Sequence, residues 1–294
     1  MQHLEVYFRC CLQFFINFAR DEISQNSLFV KNTLVKGLKN QWFKWVRSND
    51  DKSFYRILGM RRSGNHAITN WLLGQLEGSA VFLDNMQQHE PVATPNKRIF
   101  PGFGKTNLLV SHEDRPLNDF FLNYNPSQFG HSKMKCSILI LRDPYNWLAS
   151  WYAWQDELGK RFREEEEFQN HTIELWKTYA RLFLEWQEDS NQNSTEKRVA
   201  LNYNQWTQDI NYRKQLAIRL DLKFTDKGRE KMSINGYGSS FDGMAYNGKA
   251  SQLNVLERWK SFENDPNFMS LFDEEILELG QKVFPEIMFE AARP

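Results

Sequence analysis

The sequence predicts an α/β fold of three layers, a central parallel sheet flanked by helices. Three observations carry that expectation. From residue 53 onward, strand-like apolar runs alternate with amphipathic helical segments. The stretch "KCSILILRD", residues 135–143, holds a continuous apolar run, as a strand covered on both faces should. And "ILGMRRSGNHAITNWLL", residues 57–73, passes from an apolar strand-like run through a short basic turn into an apolar helix-like run, the form of a phosphate-binding loop.

Residues 1–52 read as a helical N-terminal extension, closed by the polar stretch "NQWFKWVRSNDDKS". Its longest uncharged run, "CCLQFFINFA" between Arg9 and Arg20, is too short to span a bilayer. It lacks the basic start and small-residue cleavage site of a secretory signal. A packed or peripheral helix is the expectation, with membrane contact through that helix as the alternative. Residues 53–294 then form the α/β domain. "FYRILGM" opens it as a strand, and a helix follows from about Asn65 through "AITNWLLGQL", with Ile68, Leu72 and Gln75 on one stripe. "AVFLDN" and "TNLLVSHE" are short strands. "KCSILILRD" leads into one helix over "PYNWLASWYAWQDEL", with Pro144 in its first turn, where a missing N–H costs nothing.

Glu164–Glu167 reads as a solvated helix start. The helix that follows, "FQNHTIELWKTYARLFLEWQED", presents Leu175, Tyr179, Leu182 and Trp186 on one face, extended by Trp176 and Phe183. "KRVALNYNQW" is a strand and "YRKQLAIRLDL" a helix. Residues 225–250 hold five of the 15 glycines and read as a long mobile loop. "SQLNVLERWKSF" and "DEEILELGQKVF" close the chain as two helices.

Composition narrows the function classes. With 37 Lys and Arg against 37 Asp and Glu, the chain lacks the basic excess of a nucleic-acid binder. Cys10, Cys11 and Cys136 make an odd set without framework spacing, so a reduced, cytoplasmic setting is expected. No CxxC or HExxH occurs, so no metal site is expected.

Gly59 and Gly64 have the G-x4-G spacing of an ATP-binding loop, but Asn65 and His66 stand where Lys and Ser/Thr would hold phosphates and magnesium. The cation has moved to Arg62. A strand-loop-helix junction still offers backbone N–H groups and the positive end of a helix dipole. Arg62 adds a permanently charged donor fork, and Ser63, Asn65 and His66 add side-chain donors. A phosphate or sulfuryl group bound without metal is the ligand this chemistry suits; a tight turn with surface arginines is the plainer reading. In "ILILRDPYNWLAS", Arg142 leaves the carboxyl end of a strand, where open parallel sheets bind ligands, and Ser150 follows eight residues later, about two helical turns on.

In these two motifs the chain resembles the 3′-phosphoadenylyl-sulfate (PAPS)-dependent sulfotransferases. That family pairs a basic-Ser-Gly loop after its first strand with an R-D-P-x-x-x-x-x-S motif after a later one. "RRSGNHAITNWL" and "LRDPYNWLAS" match in order and context, and the resemblance covers roughly residues 54–290. It implies a P-loop-like sulfotransferase fold and a sulfuryl transfer from PAPS to an acceptor hydroxyl, releasing 3′-phosphoadenosine 5′-phosphate (PAP) without metal. It implies that Arg62, Ser63, Gly64, Asn65, His66 and Ala67 form the 5′-phosphosulfate loop, and that Arg142 and Ser150 bind the 3′-phosphate. Arg62 stands where soluble members usually carry lysine, closer to the carbohydrate-modifying and bacterial branch. Asn65-His66 replaces the common hydroxyl residues.

The acceptor proton needs a base, and histidine is the usual choice. His112, in "NLLVSHEDRPL", resembles the family's strand-terminal catalytic histidine, with Val110 in place of the usual lysine. Glu113 is its rival, since some carbohydrate sulfotransferases use a carboxylate; His112 as a simple strand cap is the third reading. Arg62 would also stabilise charge on the bridging oxygen as the phosphate leaves.

Tyr203 resembles the family's tyrosine near the adenine, with a core role as the alternative. The glycine-rich stretch occupies the place of the family's cofactor lid. Lys249 is the nearest equivalent of its basic element, against a reading as an ordinary surface lysine. Trp147, Trp151 and Trp154 read as core rather than as a sugar platform. A glycan, glycolipid or small metabolite is the expected acceptor, its pocket shaped by residues between 82 and 134. A nucleotide-dependent kinase and a non-catalytic PAP-binding module are the competing readings.

Overall fold

A computed structural model of the protein describes residues 52–86, 97–100, 106–117, 133–188, 197–233 and 238–287. The helical extension, Cys10, Cys11 and the peripheral helix therefore lie outside the described residues, apart from Lys52. That residue opens the first strand.

The fold is α/β. Six strands run β1 (Lys52–Gly59), β2 (Ser79–Leu83), β3 (Lys97–Phe100), β4 (Thr106–Glu113), β5 (Lys133–Leu141) and β6 (Lys197–Asn202). They hydrogen-bond in the order β3-β2-β4-β1-β5-β6. The five strands other than β3 are parallel, and β3 pairs antiparallel with β2 at one edge. In register, Val81 faces Leu108 and Ile138 faces Val199. β1 lies between β4 and β5, so the chain leaves it toward one side of the sheet and later crosses to the other. Ligands of open parallel sheets bind outside the carboxyl ends of the strands at such a reversal.

The chain forms two compact units. The first comprises Met1–Tyr55, Leu76–Val110 and Tyr124–Lys135. Within it Val81, Leu83, Leu109 and Val110 are wholly buried. Asn107, buried in β4, spends its amide on the carbonyls of Glu77 (2.8 Å) and Ser79 (3.1 Å), which fixes the entry to β2.

The second unit comprises Arg56–Gln75, Ser111–Asn123 and Cys136–Pro294, and it contains every described candidate site residue. Its helices lying wholly within the described residues are α1 (Asn65–Leu73), α2 (Pro144–Tyr152), α3 (Glu157–Glu164), α4 (Glu166–Glu188), α5 (Tyr203–Gln208), α6 (Ile210–Arg219), α7 (Pro266–Met269) and α8 (Glu274–Val283). Trp71, Trp147, Trp151, Trp176 and Trp186 are its largest fully buried side chains. The buried face of α4 is centred on Trp176, Tyr179, Ala180 and Phe183, with Leu175 and Leu182 only half-buried. Lys177, also on α4, reaches Glu174 (2.7 Å) and Asp273 (2.6 Å) and so ties α4 to the start of α8.

Two predicted helices differ, and a third has a neighbour the sequence did not foretell. The single helix expected over 144–158 stops at Tyr152. Arg163 Nη1 donates to the carbonyls of Tyr152 and Trp154, and Asp156 restarts the chain by accepting from the Leu158 and Gly159 N–H groups (3.0 and 3.1 Å). Gly159 permits the turn, because a Cβ there would sit 2.0 Å from the Trp154 carbonyl oxygen. The acidic run is exposed and starts α4 as expected, with Glu166 and Glu167 in its first turn. It also ends a helix: Glu164 closes α3, and Glu165 is extended between the two.

The helix expected over "SQLNVLERWKSF" is also absent, leaving short 3-10 turns at Ala250–Gln252 and Arg258–Ser261. The backbone groups a helix would use internally serve side chains instead. Val255 O accepts from Arg142, Leu256 O from Asn146 Nδ2 (2.9 Å), and Arg258 N–H donates to Asn146 Oδ1 (2.8 Å). Among the described residues, no helix is long and apolar enough to cross a membrane.

Candidate anion-binding site

The loop after β1 is shaped by its backbone. Arg62 (φ 68°) and Gly64 (φ 90°) are both left-handed, and Ser63 N–H donates to Met60 O (3.1 Å) to close the turn. Such alternation turns successive N–H groups toward one point, a concavity suited to an anion. A non-glycine residue at positive φ costs about 1–3 kcal/mol, so the surroundings must hold it. They do: Trp147 Nε1 donates to Arg61 O (2.9 Å), Arg142 Nη1 to Arg62 O (3.2 Å), and Arg61 N–H to Asp114 Oδ1 (2.8 Å).

Two glycines are required here for space. A Cβ on Gly64 would lie 2.0 Å from the Tyr203 ring, and one on Gly59 would lie 2.0 Å from Asn65 Oδ1. α1 begins directly after the loop with no capping side chain and no acidic residue in its first turn. Its first N–H groups, including those of Asn65, His66 and Ala67, have no intrahelical partner by helix geometry, and the helix itself puts no acidic residue at its positive dipole end. His66 and Ala67 are half-buried in that turn. Asn65 serves the protein rather than a ligand: its Nδ2 donates to Met60 O (3.0 Å) and Glu113 Oε1 (2.8 Å).

Arg142, just past β5, is buried. Its Nη1 donates to Ser150 Oγ (2.9 Å) as well as to Arg62 O, so one guanidinium joins both motifs. Trp176 Nε1 holds its carbonyl (3.1 Å), and Ser150 Oγ donates to Asn146 O (2.9 Å). Two of the fully buried tryptophans, Trp147 and Trp176, are thus also props for the two arginine-bearing loops. Trp154 differs: it is half-buried, and Arg62 lies over its ring at 4.8 Å.

A third arginine belongs to the group. Arg258 is buried, and the Arg142 charge acts on both Arg258 and Arg62. Burial, and after it the neighbouring Arg142, pushes each of these two down to about 10; burial alone is the main cause lowering Arg142. All three stay charged at neutral pH, and burial is the first cause of each shift. Among the described residues, the carboxylate bonded to this trio is Asp242, 3.2 Å from Arg258 Nη2. Asp143 is committed elsewhere, capping α2 and accepting from Asn146 and Asn204 (2.9 Å from the latter). Ser63 Oγ, Arg142 Nε and Arg258 Nε are buried with no hydrogen-bond partner among the described residues. Three unpaired donors in one unit, two of them charged, are what an oxyanion would satisfy.

Sequence reading expected a helix over 251–262 and singled out Lys249 rather than Arg258 as the basic element of this part of the chain. The signal was its position in a basic stretch just after the glycine-rich segment. Lys249, the residue chosen there, is exposed and lies over the Tyr246 ring at 5.3 Å. Tyr203 is the first residue of α5, packed against Gly64, with Arg142 over its ring at 5.5 Å. It supports the loop from below and is buried.

The acidic end of β4 meets the same loop. Glu113 accepts from Asn65, and Arg61 Nε lies 3.9 Å from its Oε2. Asp114 is left-handed (φ 53°), and its N–H donates to Gly59 O (3.2 Å). Burial pushes its carboxyl up to about 6, against the lowering pull of Arg61. His112 is buried one position earlier in the strand, and strand alternation sends it to the opposite face from Glu113. Of the two base candidates, the loop-side position is that of Glu113. No family model and no curated protein matches the chain.

Proposed function

We propose that the protein is a sulfotransferase that moves a sulfuryl group from PAPS to an acceptor hydroxyl. The observation that carries this reading is the Arg142 guanidinium, bonded at once to Ser150 Oγ (2.9 Å) and to the carbonyl of Arg62 (3.2 Å). A ligand with two separated anionic groups suits such a joined pair of arginine sites, and a P-loop-like phosphate cradle suits the shape of the loop after β1. The orphaned donors Ser63 Oγ, Arg142 Nε and Arg258 Nε fit phosphate and sulfuryl oxygens.

When bound, PAPS supplies the sulfuryl group: the acceptor oxygen forms the new S–O bond as the S–O bond to the phosphate breaks, leaving PAP. Around that exchange, Arg62, Ser63 and the first N–H groups of α1 would hold the 5′-phosphosulfate. Arg142, Ser150 and Arg258 would hold the 3′-phosphate. Arg62 would stabilise the charge that gathers on the leaving oxygen, a preorganised electrostatic role. Glu113, anchored to the loop through Asn65, would take the acceptor proton; His112 is the second candidate for that step.

Thermal shift with PAP, ATP and GTP tests the donor. PAP alone should stabilise the protein, and Arg142→Ala should abolish the effect; stabilisation by ATP or GTP but not PAP would sink the reading in favour of a kinase. Transfer from labelled PAPS then separates enzyme from binding module. Glu113→Gln should lower kcat by about 10²–10⁴-fold, and His112→Gln should lower it far less. The reverse order would reassign the base.

A further inference from the structure

The turn at Gly238–Gly243 places its own oxygens on the arginine cluster. Ser239 and Gly243 close it with reciprocal N–H to carbonyl bonds of 3.0 Å each, and both glycines are left-handed (φ 81° and 54°). From this frame, Ser240 Oγ accepts from Arg62 Nη2 and donates to the Ser150 carbonyl (3.0 Å). Ser239 Oγ accepts from Arg258 Nη2 (2.8 Å), as does Asp242 Oδ2 (3.2 Å). Phe241 lies beneath the Arg258 guanidinium at 5.0 Å. Two of the three arginines therefore donate to oxygens of one short turn.

The substitution is incomplete. Asp242 meets a single nitrogen of Arg258, and among the described residues Arg258 Nε stays buried without an acceptor, as does Arg142 Nε. A carboxylate brings one negative charge. A phosphate monoester brings about 1.5–2 and three acceptor oxygens at pH 7. A carboxylate held by one nitrogen is thus a weaker partner than a phosphate that engages the whole fork.

We propose that Asp242 is a specificity-determining residue, a built-in competitor for Arg258 that gives way to a ligand's second phosphate and not to ligands lacking one. This rests on the cluster being the donor's anion site. In the ligand-free protein, Asp242 and the two serines hold the arginines in place and lower their mutual repulsion. A nucleotide with one phosphate leaves the Arg258–Asp242 pair standing. One with a second phosphate replaces it, and each such exchange releases the Asp242 carboxylate to water.

Asp242→Asn removes the charge while keeping an oxygen acceptor for Ser239 Oγ, so the turn retains its closure. Calorimetric titration with PAP should show about tenfold tighter binding to Asp242→Asn than to the parent, the effect of about 1.4 kcal/mol. AMP, with one phosphate, should bind both equally, and in an Arg258→Ala background the gain for PAP should vanish. An unchanged or weakened PAP affinity in Asp242→Asn overturns the proposal, as does an equal gain for AMP or a gain that survives Arg258→Ala. If PAP binds none of these proteins, the donor reading falls, and inorganic pyrophosphate decides the competitor by thermal shift. A larger shift in Asp242→Asn that Arg258→Ala removes upholds it; equal shifts overturn it.

Discussion

The loop after β1 and the turn at Gly238–Gly243 both set left-handed glycines beside buried arginines, yet the two are packed differently. Gly64 lies against the Tyr203 ring, which comes from another element. Gly238 is crowded by the turn's own Gly243 carbonyl and the adjacent Met244, whereas a Cβ on Gly243 would meet nothing within 4 Å. The first loop is propped from three sides, by Trp147, Arg142 and Asp114. The second is closed mainly by its own backbone and by Ser239 Oγ, which donates to Asp242 Oδ2 (2.9 Å). A cradle that must aim N–H groups at one point needs rigid support. A turn whose contacts are to be exchanged for a ligand's does not.

The two glycines offer the sharpest way to break that comparison. Gly64→Ala combines positive-φ strain of roughly 1–2 kcal/mol with a clash that Tyr203 can relieve only by leaving Gly64 and Arg142. A total loss of about 3–5 kcal/mol and loss of anion binding are expected, the larger part coming from overpacking. Gly243→Ala carries only the backbone strain, about 1 kcal/mol. Urea denaturation of both variants checks this. Equal losses would mean that the loop after β1 is no more constrained than the turn.

A smaller effect separates Arg258 from Lys249, which come from the same part of the chain. Arg258→Ala should weaken PAP binding by about 1.5–3 kcal/mol, the range for a hydrogen bond to a charged group. Lys249→Ala should change it by less than about 0.5 kcal/mol. Titration calorimetry reads both, and a larger loss for Lys249→Ala would return the lysine to the site.

This pair also marks what the sequence could convey. The loop after β1 was legible because its chemistry is local: glycine spacing, adjacent arginines, and a strand and helix on either side. Arg142 and Ser150 were legible for the same reason, being eight residues apart across one strand-to-helix junction. The sheet followed from apolar runs whose length and continuity suit buried strands. Arg258 was hidden, because its role depends on Asn146, 112 residues away, drawing its backbone out of a helix. Glu113 stood next to the favoured His112, and it is contacts across the fold, the hydrogen bond from Asn65 and the nearby Arg61, that place Glu113 beside the loop. The tryptophan props were invisible in the same way. Burial was predictable for Trp147 and Trp176, but the carbonyls their indoles hold were not.

The smallest expected effect probes the support under the first loop through pH. Asp114 is pushed up to about 6, above its ordinary value, chiefly by burial. In the folded protein it therefore binds a proton more readily than in the unfolded chain. Between the unfolded value near 4 and about 6, stability falls as pH rises, and the penalty is complete above about 6. A fifth of its side chain reaches solvent, which trims the penalty to roughly 1–2 kcal/mol. Asp114→Asn keeps an oxygen for the Arg61 N–H and removes the charge. Its Tm should exceed the parent's at pH 7.5, and the two should converge near pH 4. A Tm lowered at both pH values would show that the carboxylate's attraction to Arg61 outweighs its burial, making Asp114 a support for the loop at every pH rather than a cost above about 6.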